Sequence, residues 1–143
     1  MDALDLTRRP PRSPREALAD LDLLMMARTV DKIRATLPGG NIGSYQITGF
    51  SSRLLEKLGL LESELRAAIA RASSDEEVAA WIRAHTDPAA YAEIGAAFER
   101  QTVAERLNDP EYLARYPVAK RMPPEASRLD VLIADDEEAF AKR

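Results

Sequence analysis

Arginine is the side chain best matched to a planar anion, because its guanidinium donates a rigid fork of hydrogen bonds to a carboxylate or phosphate. The stretch RRPPRSPRE at residues 8–16 sets four of them, Arg8, Arg9, Arg12 and Arg15, among three prolines. Three roles fit such a segment: a basic arm on nucleic acid, a stiff peptide docked on a partner, or an ordered wall of an anion site. Pro10-Pro11 and Ser13-Pro14 hold the backbone extended and reduce the entropy lost on docking. Upstream, Leu4 and Leu6 alternate with Asp5 as apolar anchors. Downstream, Ser13-Pro14-Arg15-Glu16 reads as a cap, a first-turn proline and a capping-box acid. A segment pinned at both ends is expected to be an ordered strap over residues 1–13.

A second constellation sits in the run that follows. Leu23, Met26, Val30, Ile33 and Leu37 repeat at spacings of three and four, the signature of one buried helix face. A helix is therefore expected from Pro14 to Leu37, where Pro38-Gly39-Gly40 stops it. At roughly 100° per residue from Val30, Arg34 falls near 40° and Asp31 near 100°, while Arg28 and Lys32 point away at about 160° and 200°. Arg34 thus borders the core, where an unpaired charge is costly, and Asp31 three residues earlier can accept from it. The pair is either a plain ion pair at the core edge or a device in which Asp31 aims Arg34 at a ligand oxyanion.

Other chemistry is thinly represented. There is no cysteine, so thiolate catalysis, disulfides and zinc–thiolate sites are excluded. His85 has no second histidine beside it, which argues against a transition-metal site, and its place at a helix end suits a structural role. The glycines of LPGGNIGSY lack the lysine ending of a phosphate loop and follow a helix rather than a strand. Neither metal nor cofactor is expected.

The elements that must position these residues are helical. The 143 residues suit one domain, here residues 1–143, and the net charge of −4 argues against generic affinity for nucleic acid or anionic membrane. No run of about 18 apolar residues exists to span a bilayer, and MDALDLTRRPP has no apolar signal core. A cytoplasmic location is the expectation. Residues 43–48 read as a short strand or an extended loop. Short helices follow at about Ser52 to Leu58, stopped by Gly59, and at Leu61 to Ala72. Ser74-Asp75-Glu76-Glu77 is a second capping box, opening a helix with Val78, Trp81, Ile82 and His85 on a buried stripe. Asp87-Pro88 and Asp109-Pro110 open two more, the first running through Tyr91, Ile94, Phe98 and Thr102. Pro117 to Pro124 reads as an extended basic link, and residues 127–143 as an acidic, frayed C-terminal helix or tail. The fold class is all-α, a compact helical bundle.

Two stretches, LDLTRRPPRSPR at residues 4–15 and ARTVDKIRATL at 27–37, resemble the signature segments of a family of small bacterial proteins of unknown function. The loop-plus-helix from Gly43 to Gly59 and the closing YPVAKRMPPE and LIADDEE segments are similar to that family's layout, although ITGFSSR stands where it carries a Cys-Pro-Leu-Asp-like stretch. The resemblance implies a compact helical fold and brings no activity. It points to Arg9, Arg12, Arg15, Arg28, Asp31, Lys32 and Arg34. The reading that follows is a binding module for a small anionic ligand, with Arg9, Arg12, Arg15, Arg28, Asp31 and Arg34 as site residues. A protein-interaction or regulatory module is the alternative. An enzyme, with arginines steadying negative charge and Asp31 as base, is the third class. If an anion binds, Arg12, Arg15 and Arg34 should converge on it.

Overall fold

The computed structural model describes residues 1–141. Among them the regular structure is helical, and the only β pairing consists of isolated bridges at Asp5–Asn41, Leu18–Leu21 and Thr102–Ser127. The all-α expectation holds. Residues 43–48 are turn and bend, so the loop alternative applies there. The chain divides into two compact units, Met1–Ile94 and Gly95–Arg143.

The first unit is built around α1 (Met26–Arg34), with α2 (Phe50–Leu58), α3 (Glu62–Arg71) and α4 (Asp75–His85) following. α1 packs against α2 and α3, and α3 against α4. Every residue of α1 from Met26 through Ile33 is buried. Val30 and Ile33 fill the core as the spacing requires, together with Leu54, Leu65, Ile69, Val78 and Ile82.

The helix expected from Pro14 begins twelve residues later, at Met26. Ser13 still acts locally: its hydroxyl accepts the Arg15 N–H at 3.2 Å and its carbonyl the Glu16 N–H at 3.0 Å. That cap signal closes one turn and no more. The carbonyl of Pro14 accepts the N–H of Met25 at 2.8 Å, which folds residues 14–25 back on themselves. Leu18 and Leu21 exchange both backbone hydrogen bonds around Ala19, whose φ of 52° is left-handed. Leu18, Leu21, Leu23 and Met25 are all buried, a set that no single helix face could present. Tertiary burial overrides local propensity here.

The later signals serve as expected, with small shifts. Gly59 ends α2 at φ 71°, where the Leu60 N–H reaches back to the Leu55 carbonyl at 2.9 Å. Ser74 accepts the Glu77 N–H, while the Glu77 carboxylate takes the N–H and hydroxyl of Ser73, one residue before the cap. Val78 and Ile82 are buried, but His85 is exposed, stacked on Trp81 at 4.1 Å with its Nδ1 against the Trp81 carbonyl. Asp87 caps a short 3-10 turn, Pro88–Ala90, that leads into α5 (Tyr91–Glu99). α5 ends before Thr102, which pairs with Ser127 instead.

The second unit holds α6 (Pro110–Arg115) and α7 (Arg128–Phe140). The expected extended link after Pro117 is a 3-10 helix, Pro117–Arg121, and both α6 and α7 pack on it. The tail is an anchored helix rather than a frayed one. Ser127 caps it, and Leu129, Val131 and Leu132 are buried. Residues 142–143 of that expectation lie outside the described residues. Val103, Val118, Ala119 and Val131 form a core with Tyr112, Leu113 and Tyr116 packed around it.

Candidate functional site

The strap is ordered, and backbone pairing explains how. Leu4 donates to the carbonyl of Arg34 at the end of α1. Asn41 donates to Leu4 and accepts from Leu6, so the strap lies along the segment that leaves α1. Gly40 permits this approach, because a Cβ there would stand 2.6 Å from the Ala35 carbonyl oxygen and 3.0 Å from that of Leu4. The Met1 ammonium donates to the carbonyls of Ile69 and Ala72 at the end of α3, where positive charge suits the helix dipole. Leu6, Pro11 and Pro14 are buried.

Asp5 then shapes a turn. Its Oδ1 accepts the N–H of Thr7 at 2.9 Å and the Thr7 hydroxyl, and its carbonyl accepts the Arg8 N–H at 3.3 Å. Arg8 and Arg9 stand on this turn, both exposed. Among the described residues neither guanidinium makes a hydrogen bond or ion pair.

Arg12 is the opposite case. Asp31, 2% exposed, accepts its backbone N–H at 2.8 Å, its Nε at 3.1 Å and its Nη2 at 2.9 Å. The remaining edge reaches Asp75 at the start of α4, Nη1 to Oδ2 at 2.7 Å. Burial pulls the proton affinity of the guanidinium down, and the hydrogen bonds to Asp75 and Asp31 more than offset that, holding Arg12 above its ordinary range. One side chain therefore ties the strap to α1 and α4 together.

The other expected residues fall into place around it. Asp31 does not hold Arg34 as its main partner. The Nη1 of Arg34 lies 3.9 Å away, and its Nε donates instead to the Asp2 carbonyl at 2.8 Å. Arg12 and Arg34 do converge, but the anion at the centre is Asp31 itself. Arg15 is exposed, one residue beyond the buried Pro14. Arg28 and Lys32, expected to face away from the core, are buried on α1. The guanidinium of Arg28 lies over the Tyr45 ring at 5.7 Å, with Nη1 3.4 Å from the Arg12 carbonyl. A helical wheel assigns one apolar face; it cannot show that a helix is enclosed on the others. Sequence reasoning missed Asp75 as a partner, having read it only as a helix-start acid. Its partner lies 63 residues away, and no local signal encodes that.

These features define a class: an all-α protein whose arginine-bearing N-terminal strap is locked onto its first helix by a two-carboxylate clamp. Among the described residues no group of three or more histidines, cysteines or acids is placed to hold a metal, and no helix is long and apolar enough to cross a membrane. The chain belongs to the DUF5069 family, described as a domain of unknown function, whose model matches residues 8–137. The matched span opens at Arg8 and includes the clamp residues Arg12, Asp31 and Asp75. No curated protein matches the chain.

Proposed function

We propose that the protein is a binding module for an anionic group, a phosphate or carboxylate, and that Arg9 takes it together with Arg8. One observation carries the reading. Arg12 and Arg34 already have internal acceptors, whereas Arg8 and Arg9 are exposed without any, on a turn that Asp5 and Asn41 fix. A turn ordered before binding loses little entropy when it binds, so the cost of presenting the two guanidiniums is already met by the fold. The net charge of −4 favours a compact anion over a polyanion. Binding is favoured over catalysis because Asp31, the candidate base, is 2% exposed and engaged by Arg12 through both oxygens.

Calorimetric titration with inorganic phosphate and with citrate tests this. A charge-assisted contact contributes roughly 1.5–3 kcal/mol, so removing either arginine is expected to weaken binding about ten- to a hundredfold. The Arg8→Ala/Arg9→Ala double variant should lose binding with its melting temperature in anion-free buffer unchanged. Equal affinity in the double variant, or binding lost only in Arg12→Ala, would overturn the assignment.

A further inference from the structure

We infer that residues 1–14 form a latch that opens as one piece while α1 to α4 stay folded, and that Arg12 is its catch. The argument rests on what holds the strap and what holds the helices beneath it. Its long-range attachments are mostly polar: the Met1 ammonium at the end of α3, the Leu4 and Leu6 pairings with Arg34 and Asn41, and the Arg12 clamp. Its buried apolar contribution is small, chiefly Leu6, Pro11 and Pro14. The helices are held by a continuous apolar core that includes Val30, Ile33, Leu65, Ile69 and Val78. Segments with few apolar contacts open at lower free energy than the core they cover.

The clamp is asymmetric in a way that suits opening. Asp31 is enclosed, whereas Asp75 is 29% exposed and Arg12 20% exposed, so water, salt and competing ions reach the outer half first. Breaking that half leaves Arg12 held by a single carboxylate. A buried ion pair also brings less net stability than an apolar contact of similar size, because both charges must be desolvated. Pro10, Pro11 and Pro14 then decide the manner of opening. They keep the strap stiff, so it leaves and returns as a unit rather than fraying residue by residue. The open state separates Asp31 from Arg12 and leaves Arg34 3.9 Å from it.

Native-state hydrogen exchange on the full chain, without ligand, tests this independently of anion binding. The amides of Leu6, Arg12 and Asn41, bonded respectively to Asn41, Asp31 and Leu4, should exchange at one common rate. That rate should exceed the rate at Val30 and Ile33 by at least about tenfold. Asp75→Asn should raise the strap rate and the Ile33 rate by the same factor, about two- to fivefold, because the contact is lost in both open states. Ser74→Ala supplies the control. It removes the cap of α4 without touching Arg12, so the rate at Ile33 should rise and the strap rate should not. Strap amides exchanging as slowly as Ile33, or Ser74→Ala speeding the strap as much as Ile33, would show that the strap opens only with the whole unit and would overturn the inference.

Discussion

Truncating Arg12 to alanine isolates what the clamp contributes. The loss has two parts of unequal size. Asp31, 2% exposed, would keep a carboxylate without the Nε and Nη2 donors of Arg12. Removing one partner of a buried pair costs about 3–5 kcal/mol. Three features place this site at the low end: Arg34 remains 3.9 Å away, the Arg12 side chain is partly exposed, and its backbone N–H survives the substitution. The Asp75 half is more open to solvent and contributes about 0.5–1 kcal/mol. Arg12→Ala should therefore destabilise the first unit by about 3 kcal/mol and Asp75→Asn by about 0.5–1 kcal/mol. Arg12→Lys should fall between them, since one ammonium cannot span two carboxylates. A double-mutant cycle of Arg12→Ala with Asp31→Asn should return a coupling of about 2 kcal/mol. Urea unfolding followed by the fluorescence of Trp81, the only tryptophan and a residue of α4, reports on the unit concerned. Arg12→Ala costing less than about 1 kcal/mol, or no more than Asp75→Asn, would refute the account of the clamp.

Three further outcomes follow from other parts of the structure. In the second unit, burial pushes the Tyr112 phenol up to about 12, with Arg128 opposing the shift and Tyr116 adding to it. The neutral phenol is favoured in the fold, so its contribution to stability should be lost as pH rises from about 10 to about 12. Absorbance titration should show a late tyrosine step that Tyr112→Phe removes; a late step that persists in Tyr112→Phe, or no late step, would contradict it. At the acid end, a hydrogen bond from Arg83 holds Asp20 below the usual carboxylate range, and hydrogen bonds from the Ser73 hydroxyl and N–H do the same for Glu77. Depressed carboxyls stabilise fully above their unfolded values and lose that contribution as pH falls through the folded ones, so Asp20→Asn and Glu77→Gln should each flatten the acid limb of the melting-temperature profile. Finally, Ala19 at φ 52° occupies backbone that glycine adopts without strain. Ala19→Gly should stabilise by up to about 1 kcal/mol and Ala19→Val should destabilise, as judged by urea midpoints.

The expectations that the structure met are those whose physics is local. Gly59 stops α2 because a left-handed C-cap suits glycine, and Ser74, Asp87 and Asp109 each accept an N–H within three residues of themselves. Tertiary structure decided the rest. The capping signal at Ser13 is real, yet it closes a single turn, because burying Leu18, Leu21, Leu23 and Met25 together requires a folded-back segment. Arg28 and Lys32 were placed away from the core because a wheel describes one face, whereas α1 is buried along its whole length up to Ile33. Asp31 and Arg34 were correctly brought near each other by i, i+3 spacing, but Arg12 arrives from 19 residues away in a better geometry and takes the carboxylate. Asp75 joins it from 63 residues away, a pairing set by how α4 packs on α3 and the strap on α1, which no window of sequence contains.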